Sequence, residues 1–339
     1  MQTYAGIDLH SSNIYLGISD ENDKRLFAKR LPNQLDPIMD ALNPYKDSLQ
    51  AVVVESTYNW YWLVDGLKEK GLPVVLANPS AFKQYEGIKH TDDKWDSFWL
   101  AHMARLGILP KGYIYPKKQR AVRDLLRRRA LFVKNRTSHL LSLQSMFQRH
   151  LGQKVSANVL KRLQPEEAEK LFESPYEIFT AQSQLAIIKD FQRHIKNIEK
   201  QALSQVKLKK EFEMLMTITG IGKILALTIM LEVGDIGRFE QVGNYASYCR
   251  CVKSQRTSNN KKKGENNRKN GNRHLGWAYV EAANFSRRYC PLAQRFYQRK
   301  RDKTNAIVAT KALSNKLARA SYYIMRDQVA YDADKLFCQ

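Results

Sequence analysis

Acidic residues are scarce in this chain. Its 339 residues hold 33 Asp and Glu against 56 Lys and Arg, a formal charge of +23. That imbalance points to a polyanionic partner, nucleic acid before an anionic membrane surface. Only four cysteines occur, Cys249, Cys251, Cys290 and Cys338. Cys249-Arg250-Cys251 lacks the two-residue gap of a metal knuckle, so a zinc framework is excluded and reduced thiols are expected. No apolar run approaches the ~20 residues of a membrane helix, so no membrane partner is expected. The opening MQTYAGIDLH has no basic-then-apolar signal pattern, and a cytoplasmic location follows as the expectation. Gly-rich phosphate loops are missing too, which argues against an ATP-dependent actin-like fold despite the G-x-D of the first strand.

Hydrophobic residues make up 43% of the chain, enough for two or three cored domains. Residues 3–8, 13–19 and 24–31 read as three strands, the second by its alternation. A helix is predicted near 35–44. AVVV at 51–54 is a buried strand, 58–71 a helix ended by Gly71, and PVVLA at 73–77 a further buried strand. Three strands, a helix, then strand–helix–strand is the order of a ribonuclease-H-like α/β core. Asp8 and Glu55 then meet at one sheet edge. Asp93 and Asp96, three apart in a predicted helix, share one face. Four hard carboxylates suit Mg or Mn and phosphoryl transfer.

Past Pro116 the pattern turns helical. Residues 118–150 carry Val122, Leu126, Val133, Leu140 and Phe147 near one stripe, and a cationic exterior that includes Arg123, Arg127, Arg128 and Lys134. Residues 184–208 show coiled-coil spacing, and the two stretches either pack as a hairpin or form an oligomer seam. Residues 152–183 are short helical pieces with Pro165 and Pro175. From 214, Gly220-Ile221-Gly222-Lys223 between two apolar runs reads either as a plain turn or as a helix-hairpin-helix whose backbone N–H groups meet a DNA phosphate. Residues 250–273 hold nine Lys and Arg and one acid, Glu265. This stretch cannot form a core of its own. A solvated loop or a phosphate-binding arm is the plainer reading, with Arg256, Lys261, Lys262, Arg268, Asn272 and Arg273 as contacts. Ser254 and Ser258 become credible nucleophiles only if cations neutralise a target phosphate.

GIDLH, VVES-x-YNWYW, HTDDKWDSFWLA, RLGILPKGYIYP, TGIGKILA and KNGNRHL follow one another in a fixed order across nearly the whole chain. In this the chain resembles the DEDD transposases of insertion sequences, described as bridge-RNA- or seek-RNA-guided recombinases. The resemblance implies a RuvC-like domain over 1–116 with Asp8, Glu55, Asp93 and Asp96 as ligands of Mg or Mn. It implies a basic helical, coiled-coil region over 117–212 and a mainly helical transposase domain over 213–339. Counting between CRCVKS and KNGNRHL, it implies Ser258 as nucleophile, with Ser254 nearby. DNA, a guide noncoding RNA and homo-dimers or tetramers are the implied partners. The chain departs from the family with Lys253 for Pro, Asn259 for Gly, Ser97 where Ala is common, and an extra acid at Asp92. Two other functions remain open: a RuvC-like junction nuclease that activates water, and a non-catalytic basic nucleic-acid-binding protein.

Overall fold

The computed structural model describes residues 1–79, 92–204, 210–265 and 270–338, and divides into two compact units, Met1–Lys117 and Lys118–Gln339. The first unit is built on β1 (Thr3–Leu9), β2 (Asn13–Asp20), β3 (Arg25–Pro32), α1 (Leu35–Leu42), β4 (Leu49–Glu55), α2 (Trp60–Glu69), β5 (Val74–Ala77) and α3 (Asp93–Arg105). The strands form one sheet in the order β3-β2-β1-β4-β5. The first three pair antiparallel, while β1 with β4 and β4 with β5 pair parallel, as the ribonuclease-H-like order requires.

Alternation along the strands makes two apolar faces. Ala5, Ile7, Leu16, Val52 and Val54 meet Ile38, Leu42, Leu63 and Leu67 of α1 and α2 on one side. Ala51 and Val53 meet Leu100 and Met103 of α3 on the other. The predicted 35–44 helix stops at Leu42 because Pro44 follows, and a 3-10 turn takes over at Asn43–Tyr45.

α3 lies unusually close to the sheet. Gly6 of β1 is paired with Gly17 of β2, which leaves a flat patch. The fully buried Ser97 sits on that patch: a Cβ at Gly6 would overlap its carbonyl oxygen, and one at Gly17 would stand 2.7 Å from its Oγ. A small residue at 97 is therefore a packing requirement, and Ser97 satisfies its own hydroxyl by donating to the Lys94 carbonyl at 2.8 Å.

The second unit begins with two long helices, α4 (Lys117–Leu151) and, after α5 (Ala157–Leu160), α6 (Pro175–Ser204). The helix read at 184–208 starts nine residues earlier, at Pro175, where a proline costs no hydrogen bond. Residues 205–208 of that reading lie outside the described residues. α4 and α6 form an intrachain hairpin. Leu140, Leu143 and Phe147 share a core with Leu185 and Ile188, and Arg129 donates to Glu199 at 2.6 and 2.8 Å.

The chain continues through α7 (Lys210–Met216), α8 (Lys223–Val233) and α9 (Val242–Tyr248). The hairpin β6 (Arg256–Ser258) and β7 (Lys261–Gly264) follows, then α10 (Arg273–Tyr289), α11 (Pro291–Lys303), α12 (Ala306–Asp327) and α13 (Ala333–Phe337). From Leu225 onward α8 is buried on all sides, the pattern of a central core helix. Tyr245, Tyr279, Leu313 and Tyr322 close around it, and Leu126 and Ala202 bring the near ends of α4 and α6 into the same core.

The Gly6 contact yields a stability prediction. Gly6→Ala forces α3 off the sheet and should destabilise the first unit by about 1–3 kcal/mol or more. Tryptophan fluorescence during thermal unfolding reads this selectively, because Trp60, Trp62, Trp95 and Trp99 lie in that unit and only Trp277 in the other. An unchanged first-unit melting temperature would contradict the contact.

Candidate metal centre and nucleic-acid interface

Parallel pairing of β1 with β4 sets Ile7 opposite Val54. The next residues, Asp8 and Glu55, thus arrive at the same sheet edge. Alternation turns Asp8 to the face of Gly6 and Glu55 to the face of Val53, the side covered by α3. α3 begins there. Asp92 is its N-cap, accepting the Trp95 backbone N–H at 2.6 Å. Asp93 and Asp96 follow in the first turn, where the helix dipole favours carboxylates. Asp92 is thus engaged in capping, and Asp93 reaches the sheet: Arg30 donates to it at 2.6 Å, and His10 Nε2 lies 3.2 Å from Asp93 and 3.1 Å from Asp8.

The electrostatics register the crowding. Burial raises the carboxyls of Asp8, Glu55 and Asp96 above the ordinary carboxylate range. Like charges add to it, Asp93 acting on Asp8, Asp8 and Asp96 on Glu55, and Asp8, Asp93 and Asp92 on Asp96. His10 opposes the shift at all three. Asp8 and Asp93 bring hard oxygen donors close enough for a divalent cation, while Glu55 and Asp96 couple electrostatically to Asp8 but lie outside the group of donors within reach of one ion among the described residues. The donor atoms of Asp8, His10 and Asp93 lie within 4.8 Å of one another, so His10 adds a nitrogen donor to the set.

The second unit carries the expected serine. Residues 256–264 are a hairpin, not an irregular loop, with Ser258 paired to Lys261. Asn259 and Asn260 form its two-residue turn with φ of +49° and +57°. Both are left-handed, as a type I′ hairpin turn needs, and Asn tolerates this better than any residue but Gly. Asn259 thus meets the left-handed requirement that a glycine would also meet. Ser258 is exposed and Ser254 half-buried.

The basic positions divide into two groups. Arg128, Lys134, Gly222, Lys223, Arg256, Lys261 and Arg273 are exposed. Lys262 stands opposite Thr257 in the hairpin, and Arg268 lies outside the described residues. The other expected contacts are engaged internally. Arg123 is buried. Arg127 forks onto Glu232 at 2.7 Å through both Nε and Nη2, and the buried Asn272 donates to Glu232 at 2.7 Å. Gly220, at φ +103°, is needed for packing: a Cβ there would come within 2.5 Å of the Ala282 carbonyl on α10.

Residues 212–298 match the family described as Transposase IS116/IS110/IS902 family, and residues 5–151 match the DEDD transposase family of the IS110 group. The chain carries the domains of an IS110-family DEDD transposase. It is also similar to the protein named "Putative transposase y4qE" of Sinorhizobium fredii (strain NBRC 101917 / NGR234), with 26% identity over 240 residues. That similarity covers 69% of this chain and 57% of the relative, so the chain spans a little over half the length of the curated relative it matches.

All four carboxylates lie within the DEDD match, and the Ser258 hairpin lies within the other. His10, Arg30 and Glu232 are the participants that sequence reading passes over. His10 carried a signal, since it follows Asp8 by two residues at the end of a strand. Arg30 is 63 residues from Asp93 and carried none.

The raised Glu55 carboxyl gives a pH prediction. Its folded-state value lies above the ordinary one, so its stabilising contribution is present at low pH and lost as pH rises through the raised value. Glu55→Gln mimics the protonated form. It should raise the melting temperature at neutral pH without divalent metal, and the gain should vanish as pH falls into the carboxylate range. Manganese should reverse the order, adding about 2.7 kcal/mol to wild type at 100 times Kd and less to the variant. A variant less stable than wild type in metal-free neutral buffer would contradict the assignment.

Proposed function

We propose that the protein is an insertion-sequence transposase that cleaves and exchanges DNA strands by metal-dependent phosphoryl transfer through a covalent serine intermediate. The observation that carries this reading is the convergence of Asp8, Glu55, Asp93 and Asp96 at one sheet edge in a chain of formal charge +23. The carboxylates would hold Mg or Mn. The bound cation supplies positive charge against the oxygens of a DNA phosphate.

The chain's own residues do the rest. Ser258, presented by a tight turn amid Arg256 and Lys261, attacks phosphorus through Oγ. An O–P bond to serine forms, the bond to one deoxyribose oxygen breaks, and the serine proton ends on the leaving hydroxyl. A hydroxyl from another strand then reverses the step, so the phosphodiester bond energy is kept and no nucleotide triphosphate is consumed. The carboxylates and Ser258 belong to different units, and both must act on one phosphate, within one copy or across a homo-dimer or tetramer.

Exposed Arg128, Lys134, Lys223, Arg256, Lys261 and Arg273 supply contacts to the DNA backbone, the Gly222 N–H end of α8 a phosphate contact, and α4 a surface for a guide noncoding RNA. Arg127, Arg123 and Asn272 act from inside by holding these surfaces in place.

The test is circular-junction formation in cells that express the protein beside a DNA segment with its native flanks. Wild type should form the junction, and Asp8→Ala and Ser258→Ala should abolish it at matched protein levels, while Ser254→Ala retains it. Loss with Asp8→Ala but not Ser258→Ala would replace the serine by Ser254 or water, the latter as in a junction nuclease. Junctions that survive Asp8→Ala would remove the catalytic reading altogether.

A further inference from the structure

The basic arm is bounded by Cys251 and Gly271, and its two roots are fastened together. Cys251 is buried, with its N–H donating to the Ala246 carbonyl at 3.0 Å. The Arg250 Nε donates to the Gly271 carbonyl at 3.0 Å, and the Asn272 N–H donates to the Tyr248 carbonyl at 2.6 Å. Gly271 sits at φ +88°, so close that a Cβ would stand 2.5 Å from the Tyr248 carbonyl. The Asn272 side chain works in two directions. Its Oδ1 caps α10 by accepting the His274 and Leu275 N–H groups at 2.8 and 3.2 Å, and its Nδ2 donates to Glu232 at 2.7 Å.

Glu232 ends the buried helix α8 and is itself 2% exposed. Burial alone would raise its carboxyl, but the Arg127 fork and the Asn272 amide hold it below the ordinary value. An ionised carboxylate inside a core is costly unless every lone pair is used. Here one carboxylate ties α4, α8 and the root of the arm into one fastening, and the arm itself has almost no apolar residues with which to hold its position.

We propose that Glu232 is the positioning residue of the serine arm, fixing through Asn272 the root from which Ser258 is presented. The inference rests on the serine reading of the proposed function. It places Glu232 in no contact with DNA or metal.

Glu232→Gln tests it, because the new amide must turn its NH2 toward either the Arg127 fork or the Asn272 amide, donor against donor. Adding Asn272→Asp restores complementarity: the glutamine oxygen accepts from Arg127, its NH2 donates to the new carboxylate, and the other carboxylate oxygen still caps α10. Three quantities are measured on the full chain: hydrogen exchange over 252–264 and over α8, affinity for element-end DNA, and the single-turnover rate of strand cleavage. In Glu232→Gln, exchange in the arm should rise while α8 stays protected. Cleavage at saturating DNA should slow by about 10- to 100-fold, a loss that remains after any weakening of DNA binding is removed by saturation. The double variant should recover both rate and protection.

Unchanged arm exchange and rate in Glu232→Gln would overturn the proposal. So would exchange rising equally in α8 without rescue by the double variant, which is the mark of a general core defect. Ser258→Ala is run alongside: if it cleaves at the wild-type rate the serine reading fails, while the exchange comparison still decides the role of Glu232.

Discussion

The approach of α3 to the sheet at Gly6 and Gly17 is the contact on which the rest of the first unit depends. A helix normally stands off a sheet by the depth of its side chains. Here two paired glycines and the small Ser97 remove that depth, and the helix backbone comes down onto β1. The consequence is chemical. The first turn of α3 is carried to the edge where Asp8 and Glu55 end their strands, and Asp93 and Asp96 arrive among carboxylates already there. The small residue after Asp96 is thus the packing counterpart of the carboxylate spacing before it.

Such a cluster works against folding in the absence of compensation. Burial and mutual repulsion lift three of the four carboxyls above their ordinary range. His10 and Arg30 offset part of this from the sheet side, and the α3 dipole offsets part from the helix side. In the proposed function a divalent cation meets the remainder. Sites that store charge in this way are arranged for function at the expense of stability. The second unit solves the opposite problem, since its excess is positive. It sinks one carboxylate, Glu232, into the core, where a bidentate arginine and an amide satisfy it. Arg128, Lys134, Lys223, Arg256, Lys261 and Arg273 are left exposed.

How far this was readable from the residues depends on the range of the interactions. Strands β1, β2 and β4 and helices α2 and α4 announce themselves by local periodicity, and the sheet order follows from their succession. The spacing of three between Asp93 and Asp96 is legible in the residues. The cap that engages Asp92 is a local device, legible as an Asp just ahead of an apolar helix. Arg30 was not legible, because nothing local ties it to a helix 63 residues onward. The hairpin of 256–264 reads as a solvated loop or a phosphate-binding arm because it lacks the apolar alternation of a strand. Its one signal was Asn259-Asn260, a pair suited to left-handed turns. Asn272 and Arg127 read as nucleic-acid contacts because polar residues in a basic stretch face outward by default. Only the position of Glu232 reveals that they turn inward.

The central claim is that a serine on the hairpin arm joins covalently to DNA when the carboxylate centre is charged with metal. Mass spectrometry of the protein after reaction with element-end DNA and Mg, followed by nuclease and protease digestion, tests it most directly. A nucleotide-modified peptide is expected with the mass added at Ser258, present with Mg, lost on chelation and missing from Asp8→Ala. Strand cleavage without any protein-bound nucleotide, or an adduct on a different residue, would contradict it.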